Sequence, residues 1–522
     1  MKILISLLAL VLPLAAELPN ILWITSEDNA AHWIGCYGNK QASTPRIDQL
    51  AGEGIRFSRA YSNAPVCAVA RSTILNGAYA VTMGTQHMRS RHPIPASFRS
   101  YVSHLREAGY YCTNNGKTDY NFKGKDAEIW DESSRKAHYR NRPQGKPFMA
   151  VFNLTMSHES SLFPKGVEMR RKKGLIPRKP RVDPSEIILP PSQPDLPEMR
   201  SDAAIYHDCI TAMDKQVGEL LDELERSGLA ENTIVFYYSD HGGAMARGKR
   251  YLQDSGVRVP MLVRVPEKWR HLAPFAPGSV ADEPVAFVDL APTLLSLAGI
   301  ATPAAMQGRA FLGKHRAAPR EVEYLFGDRF DDIPGMRRAI TDGDFKYIRC
   351  FSPHLPGAPY SSYAFGQPSW KAWKEAATAG KLSGYHHEIW QARQPVELLF
   401  DLKSDPWEID NLAAKPELAE RLNAMRGKLR ETMINTRDSG VVPEQMWKQV
   451  AADSTIHGYV ANAGEDHAAW VDLAFMATSG SITPELEAAF ESPSPVARYW
   501  AASSGLFHPG KAAHLAGKLE KL

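Results

Sequence analysis

Four short apolar runs do most to limit the fold of this chain. Each has the length and composition of a buried strand, and each is followed by polar, chemistry-bearing residues. The runs are Asn20–Thr25, Tyr110–Thr113, Phe148–Leu154 and Thr233–Ser239. Such runs suit the interior of a parallel sheet covered by helices on both faces. After them come Glu27 and Asp28, Lys117 and Asp119, His158, and Asp240 with His241. A single acid after a strand is commonly a helix cap. Four such clusters imply one shared site, because in open α/β sheets the ligand crevice lies outside the carboxyl ends of the strands.

Helical patterns separate these runs. Ser43-Thr44-Pro45 opens a helix with a cap and a first-turn proline, Ile47, Leu50 and Ala51 form its apolar face, and Gly54 closes it. Ile55–Tyr61 returns as a strand, and Ser97–Ala108 is a helix stopped by Gly109. Met199–Ser227 places Ile205, Cys209, Met213, Val217, Leu220 and Leu224 at helical spacing, and Val288–Ala298 is a further helix stopped by Gly299. This alternation predicts an α/β fold with a largely parallel mixed sheet. From about Glu321 the strands shorten (Arg338–Ile340, Phe345–Arg349, Leu398–Leu402), and a helix follows at Pro416–Thr436. Beyond about Val441 the pattern is helical, and Pro493–Ala502 reads as the opening of a HEAT-type repeat, which alone cannot bury its own face. The expected division is a signal peptide at 1–16, the main α/β domain at 17–320, an α+β subdomain at 321–440 and a HEAT-like helical extension at 441–522.

With 522 residues, 44% apolar and 23% charged, the chain can fill two or three globular domains, and a net charge of +3 gives no basis for nucleic-acid binding. Met1–Ala16 has a basic start, an apolar core and small residues at its end, which fits a secretory signal cleaved near Ala16, with an uncleaved anchor as the alternative. No other stretch of roughly 18 apolar residues follows, so a periplasmic or secreted protein without stable membrane insertion is expected. The five cysteines are widely spaced, without C-x-x-C, and their odd number leaves at least one thiol unpaired; Cys67 is the candidate. Lys165–Arg181 carries eight basic residues and one Glu, a solvated excursion or a rim contact for a polyanionic substrate.

The Ala64–Gly77 segment carries the densest chemistry. Pro65 and Val66 end an extended run, Arg71–Asn76 reads as a helix, and Gly77 closes it. Cys67 then lies at or just before a helix N-terminus, where free N–H groups and the helix dipole favour an anion. Arg71, one turn on, adds a full positive charge. Alone, C-x-x-x-R equally describes a buried thiol beside a solvated arginine.

Together these segments resemble the sulfatases of the alkaline-phosphatase superfamily, over roughly Pro19 to Asp438. The ordered motifs are Pro19-Asn-Ile-Leu-Trp-Ile24, Thr44-Pro-Arg-Ile-Asp-Gln-Leu50, Cys67-x-x-x-Arg71 ending in Asn76-Gly77, Gly116-Lys117, Ser239-Asp-His-Gly242, Gly248-Lys249 with Arg258-Val-Pro260, and Leu399-Phe-Asp-Leu402 with Asp405-Pro406. The resemblance implies an α/β/α sandwich and a hydrolase of sulfated glycans or other small sulfate esters. It implies that a maturation enzyme oxidises Cys67 to formylglycine, whose hydrate is the nucleophile. Glu27, Asp28, Asp240 and His241 would join residue 67 around one divalent cation, Ca²⁺ or alternatively Mg²⁺. Lys117 and Lys249 would hold the sulfate, Arg71 would steady the hydrate, His158 would protonate the leaving oxygen, and the base that collapses the hemiacetal would be Asp119 or another group. Such residues suit the reaction, which needs an oxygen nucleophile, a cation, positive groups for the SO₃ unit and an acid for the leaving alcohol. The chain departs from the family's usual pattern at Val69, where Pro or Ala is usual, at Glu27-Asp28 in place of Asp-Asp, and at Asp119 in place of His. Alternative readings are a phosphodiesterase or phosphonate monoester hydrolase of the same superfamily, and an inactive glycan-binding relative.

Overall fold

The computed structural model of the protein describes residues 17–520 apart from 125 and 512; the expected signal segment 1–16 lies outside the described residues. The strands are β1 (Asn20–Ser26), β2 (Ile55–Phe57), β3 (Ala60–Tyr61), β4 (Tyr111–Asn115), β5 (Glu132–Ser134), β6 (Phe148–Leu154), β7 (Thr233–Ser239), β8 (Met261–Arg264), β9 (Val280–Ala281), β10 (Val285–Ala286), β11 (Glu323–Gly327), β12 (Arg337–Thr341), β13 (Phe345–Cys350) and β14 (Glu397–Asp401). Eight form one sheet in the order β5-β4-β6-β1-β7-β8-β2-β9. The first five run parallel, and only β8 opposes its neighbours.

The period of two along each central strand builds the layers. Leu22 and Ile24 of β1, Phe148, Ala150 and Phe152 of β6, and Val235 and Tyr237 of β7 pack into one core with the long helix Pro197–Arg226. Ile21 and Trp23, Met149 and Val151, and Ile234, Phe236 and Tyr238 pack on the opposite face, under the helices Tyr101–Glu107 and Leu290–Leu297. The expected α/β sandwich is therefore present. Ser26 stands level with Leu154 of β6 and with Ser239 of β7, so these three strands deliver their following residues at the same height.

Several expected elements differ in detail. The predicted strand 55–61 is split: β2 joins the large sheet, whereas β3 pairs with β10, because Ser58 turns its N–H and hydroxyl to the Ala281 carbonyl. The first long helix, α1 (Pro45–Glu53), is not capped by Thr44, whose hydroxyl accepts from Gly35 N and donates to Asp48. Its free N–H groups at Arg46 and Ile47 go instead to the Asp214 carboxylate of the long helix. The helix predicted from Ser97 begins at Tyr101, where the Ser100 hydroxyl accepts from Ser103 N at 3.2 Å. Part of the basic stretch expected as a solvated excursion or a rim contact is helical, Pro164–Lys172. All five cysteines are free, not Cys67 alone.

β11–β14 form a separate antiparallel sheet in sequential order. The helix Ala419–Asn435 packs on it through Leu422, Met425, Leu429 and Met433. The helices beyond Val441 share that core through Trp447, Val460, Trp470 and Trp500. Among the described residues no helix is long and apolar enough to cross a membrane.

Candidate active site

The helix α2 (Cys67–Asn76) starts at Cys67 after Val66 in extended conformation. Gly77 ends it in the left-handed region at φ 61°, with its N–H bonded to Thr73 O. Every residue of α2 is buried, Cys67 at 2% exposure. The Cys67 thiol lies beside His241 and within electrostatic reach of Lys117, Lys249 and Arg71.

Asp28, Asp240 and His241 converge beneath it. All three are fully buried, and one ligand atom of each lies within 4.8 Å of the others. Asp28 sits at φ 49°, a conformation costly for a residue with a Cβ, and its N–H donates to Asp240 Oδ1 at 3.2 Å. Its carbonyl accepts from the Tyr206 hydroxyl. His241 Nδ1 donates to Gly242 O at 3.0 Å, which fixes Nε2 as the atom facing Asp28 Oδ1, 2.8 Å away. The contact lacks the alignment of a hydrogen bond, so Nε2 is a buried nitrogen without a proper partner. Burial would lower the His241 pKa, but the Asp28 and Asp240 carboxylates push it up to about 9. Two carboxylates and an unsatisfied imidazole aimed at one point are a donor set that could hold a divalent cation.

Three cations bracket this centre. Arg71 donates through Nε to Asp240 Oδ2 at 3.1 Å, through Nη1 to Asn153 Oδ1 at 2.6 Å and through Nη2 to Glu27 Oε1 at 3.5 Å. Lys117 Nζ lies 2.8 Å from Glu27 Oε1 and 3.8 Å from Asp119 Oδ2. Lys249 Nζ lies 3.0 Å from Asp28 Oδ2 and 2.9 Å from Glu159 Oε1. Burial opposes the charged form of each, yet the neighbouring acids hold all three above their ordinary pKa. Glu27 thus stands beside the three-donor cluster, its carboxylate turned to Lys117 and Arg71.

His158 faces the same centre from the lip after β6. Its Nδ1 accepts the Ser160 N–H at 3.3 Å, and its Nε2 lies 3.5 Å from Lys249 Nζ and 4.0 Å from Asp28 Oδ2. Burial, opposed by Asp28 and seconded by Lys249, lowers its pKa.

Glu159, Arg250 and Asn153 escape the sequence reading. Glu159 receives both arms of Arg250, at 2.9 and 3.0 Å, and its N–H donates to Asp28 Oδ2 at 2.8 Å. Asn153 orients Arg71. Glu159 and Arg250 adjoin His158 and Lys249 in sequence, a proximity that could have flagged them.

A parallel-sheet edge carrying a buried acidic centre, a helix-start thiol and three flanking cations defines a hydrolase-type site for an anionic ester. The sequence model of the sulfatase family matches residues 19–300. An ulvan-active sulfatase of Formosa agariphila is 37% identical over 466 residues, covering 82% of this chain and 77% of that protein. The human N-sulphoglucosamine sulphohydrolase is 25% identical, over 85% of this chain and 96% of that protein. Among solved structures, one determined in complex with its substrate D-glucosamine-2-N,6-O-disulfate aligns with a TM-score of 0.58 at 19% identity, over 81% of this chain and 99% of the other. The phosphonate monoester hydrolase of Agrobacterium radiobacter aligns at 0.54 and 17%, over 80% and 96%. The chain belongs to the sulfatase family, with the alkaline-phosphatase-like fold, and is a sulfuric ester hydrolase.

Proposed function

We propose that the protein releases sulfate from a sulfated glycan, with residue 67 as nucleophile after conversion of Cys67 to formylglycine by a maturation enzyme. The observation that carries this reading is the placement of Cys67 at the start of α2, against His241 and between Lys117, Lys249 and Arg71. The donor set of Asp28, Asp240 and His241 fits a divalent cation, Ca²⁺ in preference to Mg²⁺ because oxygen ligands predominate, with Glu27 and residue 67 as further ligands. Such a cation would draw charge from the sulfate oxygens, and formylglycine would supply the attacking oxygen.

The chain's own residues do the rest. Lys117 and Lys249 offer fixed positive charge to the sulfate oxygens without reorganising. Arg71 locks Asp240 and Glu27 in place and faces the nucleophile. His158, at the lip of the centre with Nε2 4.0 Å from Asp28 Oδ2, would protonate the leaving oxygen, and Asp119, beside Lys117, is the candidate base. Export through residues 1–16 to the periplasm or beyond, and the division at about 320 and 440, complete the proposal.

The test is twofold. The mass of the tryptic peptide spanning Cys67 should show exchange of SH₂ for O, and sulfate should be released from sulfated oligosaccharides. An unmodified thiol in an active enzyme would refute the nucleophile. Faster turnover of nitrophenyl phosphate or phosphonate esters than of sulfates would move the chain to the phosphonate-hydrolase reading.

A further inference from the structure

Arg89 lies outside the centre just described, yet a continuous chain of contacts ties it to that centre. Among the described residues ten non-glycine positions have positive φ, and five of them are Asp28 (49°), Arg89 (62°), Asn121 (60°), Arg250 (76°) and Asp331 (52°). These five are joined in series. Asp28 meets Lys249 at 3.0 Å, and Lys249 meets Glu159 at 2.9 Å. Glu159 takes both arms of Arg250, and Arg250 donates to Asp331 Oδ2 at 2.6 and 3.1 Å. Arg89 Nη1 stands 3.5 Å from Asp331 Oδ1. Finally the Arg89 N–H donates to Asn121 Oδ1 at 2.5 Å, while the Asn121 amide donates to the Thr85 and His87 carbonyls.

Left-handed backbone at an arginine costs energy that only surrounding structure can hold in place. Here one buried asparagine holds it, accepting one hydrogen bond from the Arg89 N–H and donating two to neighbouring carbonyls. The position these bonds enforce leaves the Arg89 side chain 66% exposed, its single charged partner among the described residues an aspartate whose other oxygen is already held by Arg250. Loosely paired, solvent-facing guanidinium on a rigid and strained backbone is poor structural economy and good ligand recognition, because the planar fork matches an oxyanion two-fold.

We infer that Arg89 is a substrate-binding residue for a second anionic group, a carboxylate or a further sulfate, on the sugar chain whose ester is hydrolysed. This deepens the proposed function and rests on it for the identity of the substrate as a glycan. Arg89 makes the enzyme a reader of acidic oligosaccharides rather than of isolated sulfate esters. The anion it binds sits one ion-pair chain away from the sulfate site, on the side of Asp331 and Glu159.

The test compares wild type with Arg89→Gln and Arg89→Lys. Calorimetric titration uses two probes, a desulfated uronic-acid tetrasaccharide and a tetrasaccharide of neutral sugars carrying several sulfates. Arg89→Gln should weaken binding of at least one probe by about tenfold and reduce the salt dependence of that binding, with Arg89→Lys in between. The probe affected names the anion. Hydrolysis of nitrophenyl sulfate, which has no second anion, should stay within about twofold, as expected for a group that contacts only the remote part of the substrate. Equal affinity of wild type and Arg89→Gln for both probes overturns the inference, as does a wild type that binds neither. An equal loss on nitrophenyl sulfate overturns it too, since Arg89 would then act through Asp331 on the centre. Should no sulfate ester be hydrolysed at all, the proposed function fails while the titrations still decide the role of Arg89.

Discussion

At the scale of single residues, the buried centre makes each side chain's contribution separable. Cys67 is buried at the start of α2 and Cys67→Ala removes only its Sγ, so the substitution should abolish sulfate release and leave the melting temperature nearly unchanged. Retention of more than a small fraction of turnover would remove Cys67 from the reaction. Asp240 has a different double role: it faces Asp28 across the three-donor cluster and holds Arg71 at 3.1 Å. Asp240→Ala should lose bound metal and activity together, whereas undiminished metal by elemental analysis would make Asp240 merely a partner of Arg71. His158 should show itself through the leaving group. General acid help is worth about 10²–10⁴-fold where the leaving alcohol is poor, and little where it is a nitrophenolate. His158→Ala should therefore slow a sugar sulfate by roughly that factor and nitrophenyl sulfate far less; equal losses would reduce His158 to a support for the Glu159–Ser161 turn.

At the scale of elements, the site is an outcome of strand register, and this is why so much of it was legible. β4, β6, β1 and β7 are adjacent and parallel, so the polar residues written after each apolar run had to meet. Cys67 could be placed because Gly77 and Pro65 bracket a helix. What could not be read is the ion-pair chain through Glu159, Arg250 and Asp331, since each link joins residues far apart in sequence and its strained backbone is imposed by contacts and not by local residue type. The loop after β7 shows the same limit. Gly242 N donates to Gly256 O, Gly243 N to Ser255 O and Lys249 N to Gly243 O, folding the loop onto itself. A Cβ on Gly248 would meet Gly243 O at 2.2 Å, and one on Gly256 would meet Tyr251 O at 2.1 Å. Neither neighbour is a movable side-chain tip. Gly248→Ala should thus displace Lys249 and cut kcat/KM by at least about tenfold, because small misplacements of a charged group are costly at the reacting centre. Unchanged kinetics would mean that the loop can shift without carrying Lys249 with it.

At the scale of the whole molecule, the C-terminal helices are tied into the body just beyond α2. Ser439 Oγ donates to Val81 O at 2.6 Å, Gln86 Nε2 donates to Ser439 Oγ at 3.0 Å, and His457 Nδ1 donates to Thr82 O at 2.9 Å. Trp447 and Ile456 crowd the same 80–84 segment, where a Cβ on Gly84 would strike Ile456. His87 is caught in this seam, its ring 4.9 Å from that of Trp447, with neither nitrogen properly hydrogen-bonded. Burial, only partly opposed by Glu444, pushes its pKa down to about 3. His207, in the long helix, is likewise pushed down to about 4 by burial. The unfolded chain binds protons on such groups near pH 6.5 and the folded chain does not, so between pH 6.5 and 4 the unfolded state carries more protons and stability falls with falling pH. Each histidine contributes a loss of about 2 kcal/mol on going from neutral pH to pH 5. Asp202, raised by burial to about 6, works in the opposite sense, its contribution being largest at low pH and lost as pH rises through 6. The sum for the wild type is therefore shallower than either trend, and the difference between two proteins is the informative quantity. His87→Gln removes one titrating group and keeps an amide in the seam, so its chemical denaturation midpoint should fall less steeply than that of the wild type between pH 7 and 5, while its stability at pH 7 drops by no more than about 2 kcal/mol. Parallel pH profiles for the two proteins would show that His87 takes up its proton while folded, and that the seam opens to water.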